Sequence, residues 1–324
     1  MYRSLKLIFC SLAIAAASIP LAAWGQAWPT KPIRMVVPVP PGGANDLLAR
    51  ILGAKLSDAL GQPVIIENQG GAGGTIAAAQ VSRAAADGYT ILLTSVSHVT
   101  NVFVKKDLPY DPISDFTPIT AAAQILTCLA VNNSVPANNI KELIDYSIRN
   151  PTKLAYGSPG AGTNLHLLGE LFKMTTGAQL LHISYRGTGP ALADMMGGQI
   201  QAVITSISAL PRGPQANNVK VLAVLESKRN PRMPDVPALH EVVPAFNAPV
   251  SWFGLLGPAK LPQPIAARLS AETAKALQSP DAQAKLEAAS LGVIASSPAD
   301  FAAMMKDSHE GFGKVVKVLG LKPE

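Results

Sequence analysis

Cysteine and other metal-ligating side chains are scarce in this chain of 324 residues. It contains two cysteines, Cys10 and Cys128, and five scattered histidines. None of them has the spacing of a zinc site, and no dense cluster of acidic residues accompanies them, so the sequence predicts no bound metal. Cys10 lies in a segment that we expect to be removed. Cys128, within the apolar run 125–131, is therefore expected to be a buried thiol and not half of a disulfide.

Concentrated positive charge and aromatic side chains are also lacking. The net charge is +6, but the basic residues form no run, which gives nucleic-acid binding no support. Aromatic residues make up 5% of the chain, too few to favour a sugar site of stacked rings. No glycine loop is followed by Lys-Ser or Lys-Thr, which excludes a P-loop, and Gly71-Ala72-Gly73-Gly74 is a poor dinucleotide fingerprint. We expect no cofactor.

The first residues have the three parts of a secretory signal peptide. A basic start with Arg3 and Lys6 precedes an apolar core at 7–17 and a small-residue region that ends near Gly25. The core is too short for a comfortable membrane span. We expect cleavage after Gly25 or Ala27 and a soluble mature protein outside the cytoplasmic membrane.

The rest of the chain alternates strands, loops and helices, a pattern typical of an α/β fold with mostly parallel sheets. An apolar run at 33–37 leads through Pro40-Pro41-Gly42-Gly43 into a helical pattern that Gly61 should end. A second series of strands and helices begins near residue 140. Chain crossings near 120–130 and 247–257 would form a two-strand hinge. We therefore predict a signal peptide at 1–25, lobe 1 at 26–125 and 252–324, and lobe 2 at 126–251.

Three glycine-containing turns precede predicted helices and could share one ligand. The turn at 39–46 belongs to lobe 1, whereas those at 158–164 and 185–188 belong to lobe 2. Free N–H groups at helix starts favour anions, and in open α/β sheets ligands lie beyond the carboxyl ends of the strands. A cleft between the lobes would suit a small carboxylate. The predicted ligand-binding residues are Val39, Pro40, Pro41, Gly42, Gly43, Asp46, Ser95, Ser97, Ser158, Gly160, Gly162, Thr163, Asn164, His166, Tyr185, Gly187, Thr188 and Ser206.

Each of these features also has an ordinary structural explanation. Asp46 and Thr163 could serve as helix caps and nothing more, and His166 could be an ordinary packed side chain. A catalytic alternative is an exported hydrolase or isomerase using Ser158 or His166, which would need an ordered base beside Ser158. Against it, the sequence around Ser158 lacks the first glycine of a nucleophile elbow, and Pro159 has no N–H for an oxyanion hole.

Many motifs together resemble the substrate-binding proteins of tripartite tricarboxylate transporters, also called Bug proteins. The resemblance runs from Trp28 to the C-terminus. Its landmarks are Trp28-Pro29-Thr30-Lys31-Pro32-Ile33, Pro40-Pro41-Gly42-Gly43 with Asp46 and Arg50, Glu67-Asn68 with Gly71-Ala72-Gly73-Gly74, Asp87-Gly88-Tyr89-Thr90, Tyr156-Gly157-Ser158 with Gly160, Gly162, Thr163 and His166, Tyr185-Arg186-Gly187, Pro190-Ala191, Gly197-Gly198, Pro234-Asp235-Val236-Pro237 and Trp252-Phe253-Gly254-Leu255.

The resemblance implies a two-lobed, type II-like periplasmic-binding-protein fold that closes on its ligand like a Venus flytrap. It implies a monomeric periplasmic receptor without catalysis, for a dicarboxylate, tricarboxylate, amino acid or aromatic acid. The partners would be membrane subunits of the transporter or a sensor kinase of a two-component system. By position, Thr163, Asn164 and Thr188 inherit ligand contacts. Gln69-Gly70 departs from the family's usual Arg-Pro, and side chains near Phe103, Leu165 or Ser206 are expected to tune ligand choice.

Overall fold

The computed structural model describes residues 28–211 and 213–320. The predicted signal peptide and both candidate cleavage sites lie outside these residues. Within them, no helix combines the length and the apolar character needed to cross a membrane.

Eleven strands are present in the described part of the chain. They are β1 (Ile33–Val37), β2 (Val64–Asn68), β3 (Thr90–Ser95), β4 (Phe116–Ile125), β5 (Thr127–Asn132), β6 (Ala155–Ser158), β7 (Leu181–Ser184), β8 (Ala202–Ser206), β9 (Val219–Val224), β10 (Trp252–Pro258) and β11 (Leu291–Val293). They form a six-stranded sheet of order β11-β4-β10-β3-β1-β2 and a five-stranded sheet of order β7-β6-β8-β5-β9.

Helices flank both sheets. They are α1 (Ala44–Leu60), α2 (Thr75–Ser82), α3 (Ser97–Thr100), α4 (Ile140–Arg149), α5 (Asn164–Thr176), α6 (Thr188–Met196), α7 (Leu239–Val242), α8 (Gln263–Gln278), α9 (Pro280–Ala288) and α10 (Pro298–Leu319). Helix α1 ends as predicted, because Gly61 adopts φ 66° and its N–H bonds back to the Ser57 carbonyl. The two-lobed α/β fold is thus confirmed.

The prediction of mostly parallel sheets was too simple. Strand β1 pairs in parallel with β2 and β3, and β6 with β7 and β8. The pairings of β10, β11 and β5 are antiparallel. A parallel neighbour requires a crossover connection, usually a helix. Strand β4 instead runs directly into β5 of the other sheet, and β10 returns from that lobe. Strands β5 and β10 therefore run opposite to their neighbours on both sides.

The chain passes between the sheets twice, and the two passages lie side by side. The first is at Leu126, between β4 and β5, and the second is at Val250 and Ser251, before β10. The Ile125 N–H donates to the Ser251 carbonyl at 2.8 Å. After the second passage, the buried Trp252 ring meets Phe301 of α10 edge to face, with centroids 5.0 Å apart. These neighbouring segments are the predicted two-strand hinge.

Candidate ligand-binding cleft

A cavity of about 250 Å³ lies where elements of both sheets meet. Its wall combines hydroxyl, amide and apolar side chains. The lining residues are Ala44, Ser95, Val96, Ser97, Ile125, Thr127, Pro159, Thr163, Asn164, Leu165, Ser206, Ser208 and Leu291. Ser95, Ser97, Thr163, Asn164 and Ser206 were predicted from the sequence as ligand contacts, and the structure brings these five together.

The lobe 1 wall includes the start of α1. Gly43 precedes the helix in an extended conformation, and no side chain caps the helix there. Within the described residues, no hydrogen-bond acceptor meets the backbone N–H of Ala44 or Asn45. These N–H groups carry the positive end of the helix dipole, and Ala44 lines the cavity. This wall therefore favours an anion without a basic side chain.

Asp46 orders the turn before α1 and is only 3% exposed. Its Oδ2 accepts from the Gly42 N–H and from Arg50 Nε, each at 2.9 Å. Its Oδ1 accepts from the Asn68 amide at 2.9 Å, and that amide also donates to the Val39 carbonyl. The hydrogen bond from Arg50 is the main reason that the pKa of Asp46 falls to about 2. Its carboxylate is occupied by these partners and supports the wall from behind.

The lobe 2 wall is the start of α5. Thr163 caps this helix, because its Oγ1 accepts from the His166 N–H, and the same hydroxyl donates to the Gly160 carbonyl at 2.7 Å. Asn164 Nδ2 donates to Ser251 Oγ at 2.6 Å. The wall of the cleft is thereby joined to the second hinge passage. Asn164 Oδ1 is buried and has no hydrogen-bond partner among the described residues.

The chain carries the signature of a known receptor family. Residues 48–321 match the sequence profile of the tripartite tricarboxylate transporter family receptor. The protein belongs to this receptor family. The resemblance inferred from its motifs is confirmed.

Curated and solved relatives agree with this assignment over nearly the whole chain. The receptor is 33% identical to BugT of Bordetella pertussis, over 99% of each chain. Rpa4515 of R. palustris, solved with adipate, is 34% identical with a TM-score of 0.77, covering 92% of this chain and 100% of that one. MatC of Rhodopseudomonas palustris, solved with bound malate, is 30% identical with a TM-score of 0.72, covering 89% and 100%.

Among the described residues that line the receptor's cleft, none is a lysine, arginine, aspartate or glutamate. Glu226, which follows β9, is an acidic residue that is hydrogen-bonded to the wall residue Thr127. Glu226 Oε1 accepts from the Thr127 N–H at 2.5 Å and from the Thr127 hydroxyl at 2.8 Å. Burial raises the pKa of Glu226 to about 7. The described residues contain no group of three or more His, Cys, Asp and Glu side chains able to hold a metal ion.

The receptor does place a base beside Ser158, a contact that the sequence analysis missed. Ser158 Oγ lies 2.7 Å from His182 Nε2. However, Ser158 is completely buried and is followed by Pro159, which cannot supply an N–H. Burial, followed by the neighbouring His166, lowers the pKa of His182 to about 4. Without access to a substrate, this pair orders the turn before α5, and the hydrolase or isomerase alternative is not favoured.

The remaining predicted contacts lie around the cavity and not on its wall. Pro40, Pro41, Gly42 and Gly43 are exposed at the turn before α1, and Val39 lines a neighbouring cavity. His166 is 5% exposed, and its Nδ1 accepts from the Gly162 N–H at 2.9 Å.

The third predicted turn, at 185–188, supports the second, at 158–164. The Tyr185 hydroxyl donates to Asp194 at 2.8 Å, and the Gly187 N–H donates to the Pro159 carbonyl at 3.2 Å. Thr188 begins α6, and Arg186 is exposed. These residues hold the α5 turn in place from outside the cavity.

Two side chains named as possible tuning positions have different surroundings. Leu165 lies on the cavity wall, whereas Phe103 packs against His309 of α10, with ring centroids 4.8 Å apart. Thr127, Ser208 and Leu291 line the cavity but were not predicted. Thr127 directly follows the first hinge passage. That position was the one feature of the sequence from which its place on the cavity wall could have been predicted.

Proposed function

We propose that this protein is a periplasmic receptor that binds a small carboxylate in the cleft between its lobes and delivers it to the membrane subunits of a tripartite tricarboxylate transporter. The observation that carries the proposal is the meeting of two helix starts, α1 and α5, from different lobes at one cavity whose described lining residues carry no charge. Adipate and malate in two related structures support this ligand class.

The ligand would bind by charge–dipole attraction and hydrogen bonds. The carboxylate accepts from the free N–H groups at the start of α1, and the hydroxyls of Ser95 and Ser97 complete its coordination. We infer that lobe 1 comprises residues 26–125 and 252–324 and lobe 2 residues 126–251. Closure about the paired hinge passages would bring the α1 and α5 walls against the ligand. No step of this process requires catalysis, and we propose that the receptor acts as a monomer.

A thermal-shift screen with pairs of acids and their amides tests this function. A ligand at 100 times its dissociation constant should stabilise the protein by about 2.7 kcal/mol. Acids should stabilise it and the matching uncharged amides should not, because only the acids interact with the helix dipole as anions. Equal stabilisation by both members of each pair would rule out this binding mode.

A glycine pair supplies matched variants for the same screen. A Cβ on Gly43 or on Gly189 would meet no atom within 4 Å, and neither glycine has a positive φ. Gly43→Ala places a methyl group where α1 starts, whereas Gly189→Ala adds one in α6, away from the cavity wall. Both variants should fold, and Gly43→Ala alone should weaken carboxylate binding, by about threefold to tenfold. A similar loss in both would show that the α1 start is not the binding wall.

A further inference from the structure

Glu226 brings a carboxyl group to the wall of a cleft for which we propose an anionic ligand. Its Oε1 accepts from both the N–H and the hydroxyl of Thr127, at 2.5 and 2.8 Å. Thr127 itself lines the cavity. The carboxyl group of Glu226 is therefore in direct contact with a residue of the binding wall.

The two carboxyl groups behind this wall differ in their partners. Asp46, in the turn before α1, is paired with Arg50 at 2.9 Å. Among the described residues, no basic side chain forms an ion pair with Glu226. The negative charge of an ionised Glu226 is thus uncompensated, and it lies on the side of the cleft that carries the first hinge passage.

The strands packed beside Glu226 add no charge that could offset its own. In β5, the residue after Thr127 is Cys128, and burial, followed by Glu226, raises the pKa of its thiol. That thiol stays neutral. Strand β8, on the other side of β5, places Thr205 and Ser206 opposite these two residues, and both are uncharged.

The charged residues that follow Glu226 in the chain are exposed or engaged elsewhere. They are Lys228, which is exposed, Arg229, which pairs with Glu241 at 2.7 Å, and Arg232, which pairs with Glu287 before β11 at 3.2 Å. The pKa of Glu226 is accordingly set by burial, which raises it to about 7, and by opposing hydrogen bonds from Thr127 and from its own N–H. Near neutral pH the free receptor contains both the protonated and the ionised form.

A carboxylate in the cleft would shift this balance. It places a second negative charge on the far side of Thr127, and like charges in a partly buried site favour the protonated form of the group that can take up a proton. Glu226 is partly exposed, so its carboxyl group can exchange protons with the solvent. Protonation removes the repulsion and leaves the hydrogen bonds from Thr127 in place.

We propose that Glu226 is a specificity-determining residue that couples the binding of a carboxylate to the uptake of one proton. The proton comes from the solvent and binds to Oε2, the oxygen that does not accept from Thr127. The ligand adds one negative charge to the site and the proton removes one, so the cleft needs no lysine or arginine to balance a monocarboxylate. This inference rests on the proposed binding of a carboxylate in the cleft.

Calorimetric titration between pH 6 and pH 9 tests the coupling. The probe is adipate or malate, whichever stabilises the receptor more. Carboxyl groups of ordinary pKa are ionised throughout this range, so the charge of the probe stays constant. A proton that is held more tightly in the complex makes the affinity highest below pH 7. We expect the affinity to fall by about tenfold from pH 6 to pH 9, which corresponds to a pKa about one unit higher in the complex.

A variant that cannot ionise separates this effect from other titrating groups. Glu226→Gln keeps an oxygen that accepts from Thr127 and stays neutral at every pH. It should bind the probe at pH 9 about as tightly as the wild type does at pH 6, with a change of less than about twofold over the range. The matched control is Glu310→Gln, at the surface pair of α10, which should keep the tenfold fall.

Proton uptake is a second measurement, which a purely structural role of Glu226 would not produce. Binding heats in phosphate and in Tris, two buffers with different ionisation heats, should report about half a proton taken up per ligand at pH 7.5 in the wild type and none in Glu226→Gln. An affinity that stays constant or rises with pH, a fall that persists in Glu226→Gln, or binding without proton uptake would each overturn the coupling and leave the carboxylate receptor standing. If neither acid bound at any pH, the proposed binding of such carboxylates would fail and the coupling with it.

Discussion

The imidazole ring of His166 lies over that of His182, with centroids 3.9 Å apart and planes 21° apart. Each ring holds one end of the turn that precedes α5. His166 Nδ1 accepts from the Gly162 N–H, and His182 Nε2 contacts Ser158 Oγ. Burial is the main cause that lowers the pKa of both histidines. The turn that forms one wall of the cleft is therefore built for two neutral rings.

This pair should make stability depend on pH in a defined window. The pKa of His182 is about 4 in the folded protein, against 6.5 for a free side chain, so the unfolded chain binds more protons between these values. The contribution to stability is fully present above pH 6.5 and is lost as the pH falls to about 4. Urea unfolding should show that His182→Gln becomes more stable relative to the wild type as the pH is lowered from 7 to 4. If the unfolding free energies of the two proteins changed in parallel with pH, this assignment would be contradicted.

Glu226 should act in the opposite direction. Its folded pKa of about 7 lies above the ordinary value of 4.5 for a glutamate side chain, so its favourable contribution to stability is present below pH 4.5 and is lost as the pH rises through 7. Glu226→Gln keeps an oxygen that accepts from Thr127 and removes the cost of a buried charge. In urea unfolding at pH 8, we expect the unfolding free energy of Glu226→Gln to exceed that of the wild type by about 1 to 3 kcal/mol. The difference should vanish near pH 4. Equal gains at both pH values would argue against a titrating carboxyl.

Loss of the Asp46 carboxylate should loosen the turn before α1. Asp46→Asn cannot accept from Gly42, Arg50 and Asn68 at once, and it replaces the buried carboxylate that pairs with Arg50 by an uncharged amide. The expected cost is about 1 to 3 kcal/mol of unfolding free energy, together with weaker carboxylate binding. The control is Glu310→Gln, which breaks a 3.8 Å surface pair with Lys306 and should cost less than about 0.5 kcal/mol. Similar losses in the two variants would remove the special role of Asp46.

The packing of β10 against α10 should tolerate no side chain at Gly254. A Cβ there would lie 2.1 Å from Phe301 Cζ. Gly254→Ala should therefore lower the unfolding free energy by roughly 1 to 3 kcal/mol. Phe301→Leu in the same chain should recover part of the loss, because it removes the atoms that clash. Additive losses in the double variant would mean that this contact is not the cause.

The local signals in the sequence were reliable where one short segment determines its own structure. The turn after β1 and the Gly61 cap follow from side chains within a few residues of each other. Helix α6 begins at Thr188, directly after the predicted turn, because Pro190 is tolerated in a first turn, where N–H groups have no intrahelical partner.

Features that depend on distant parts of the chain were harder to predict. The apolar run at 116–131 is two strands of different sheets, and nothing in its composition marks Leu126 as the passage between them. His182 meets Ser158 only because β6 and β7 pair in register. Thr127, Ser208 and Leu291 reach the cleft through the meeting of two lobes, which no local pattern encodes.

Trp252 gives the protein a built-in optical reporter. The chain has three tryptophans, of which Trp24 belongs to the predicted signal peptide. Trp252 lies directly after the second hinge passage, with its indole N–H on Ser308 and its ring against Phe301. Because Trp252 directly follows the second hinge passage, we expect the intrinsic emission of the unlabelled receptor to change when a ligand is captured.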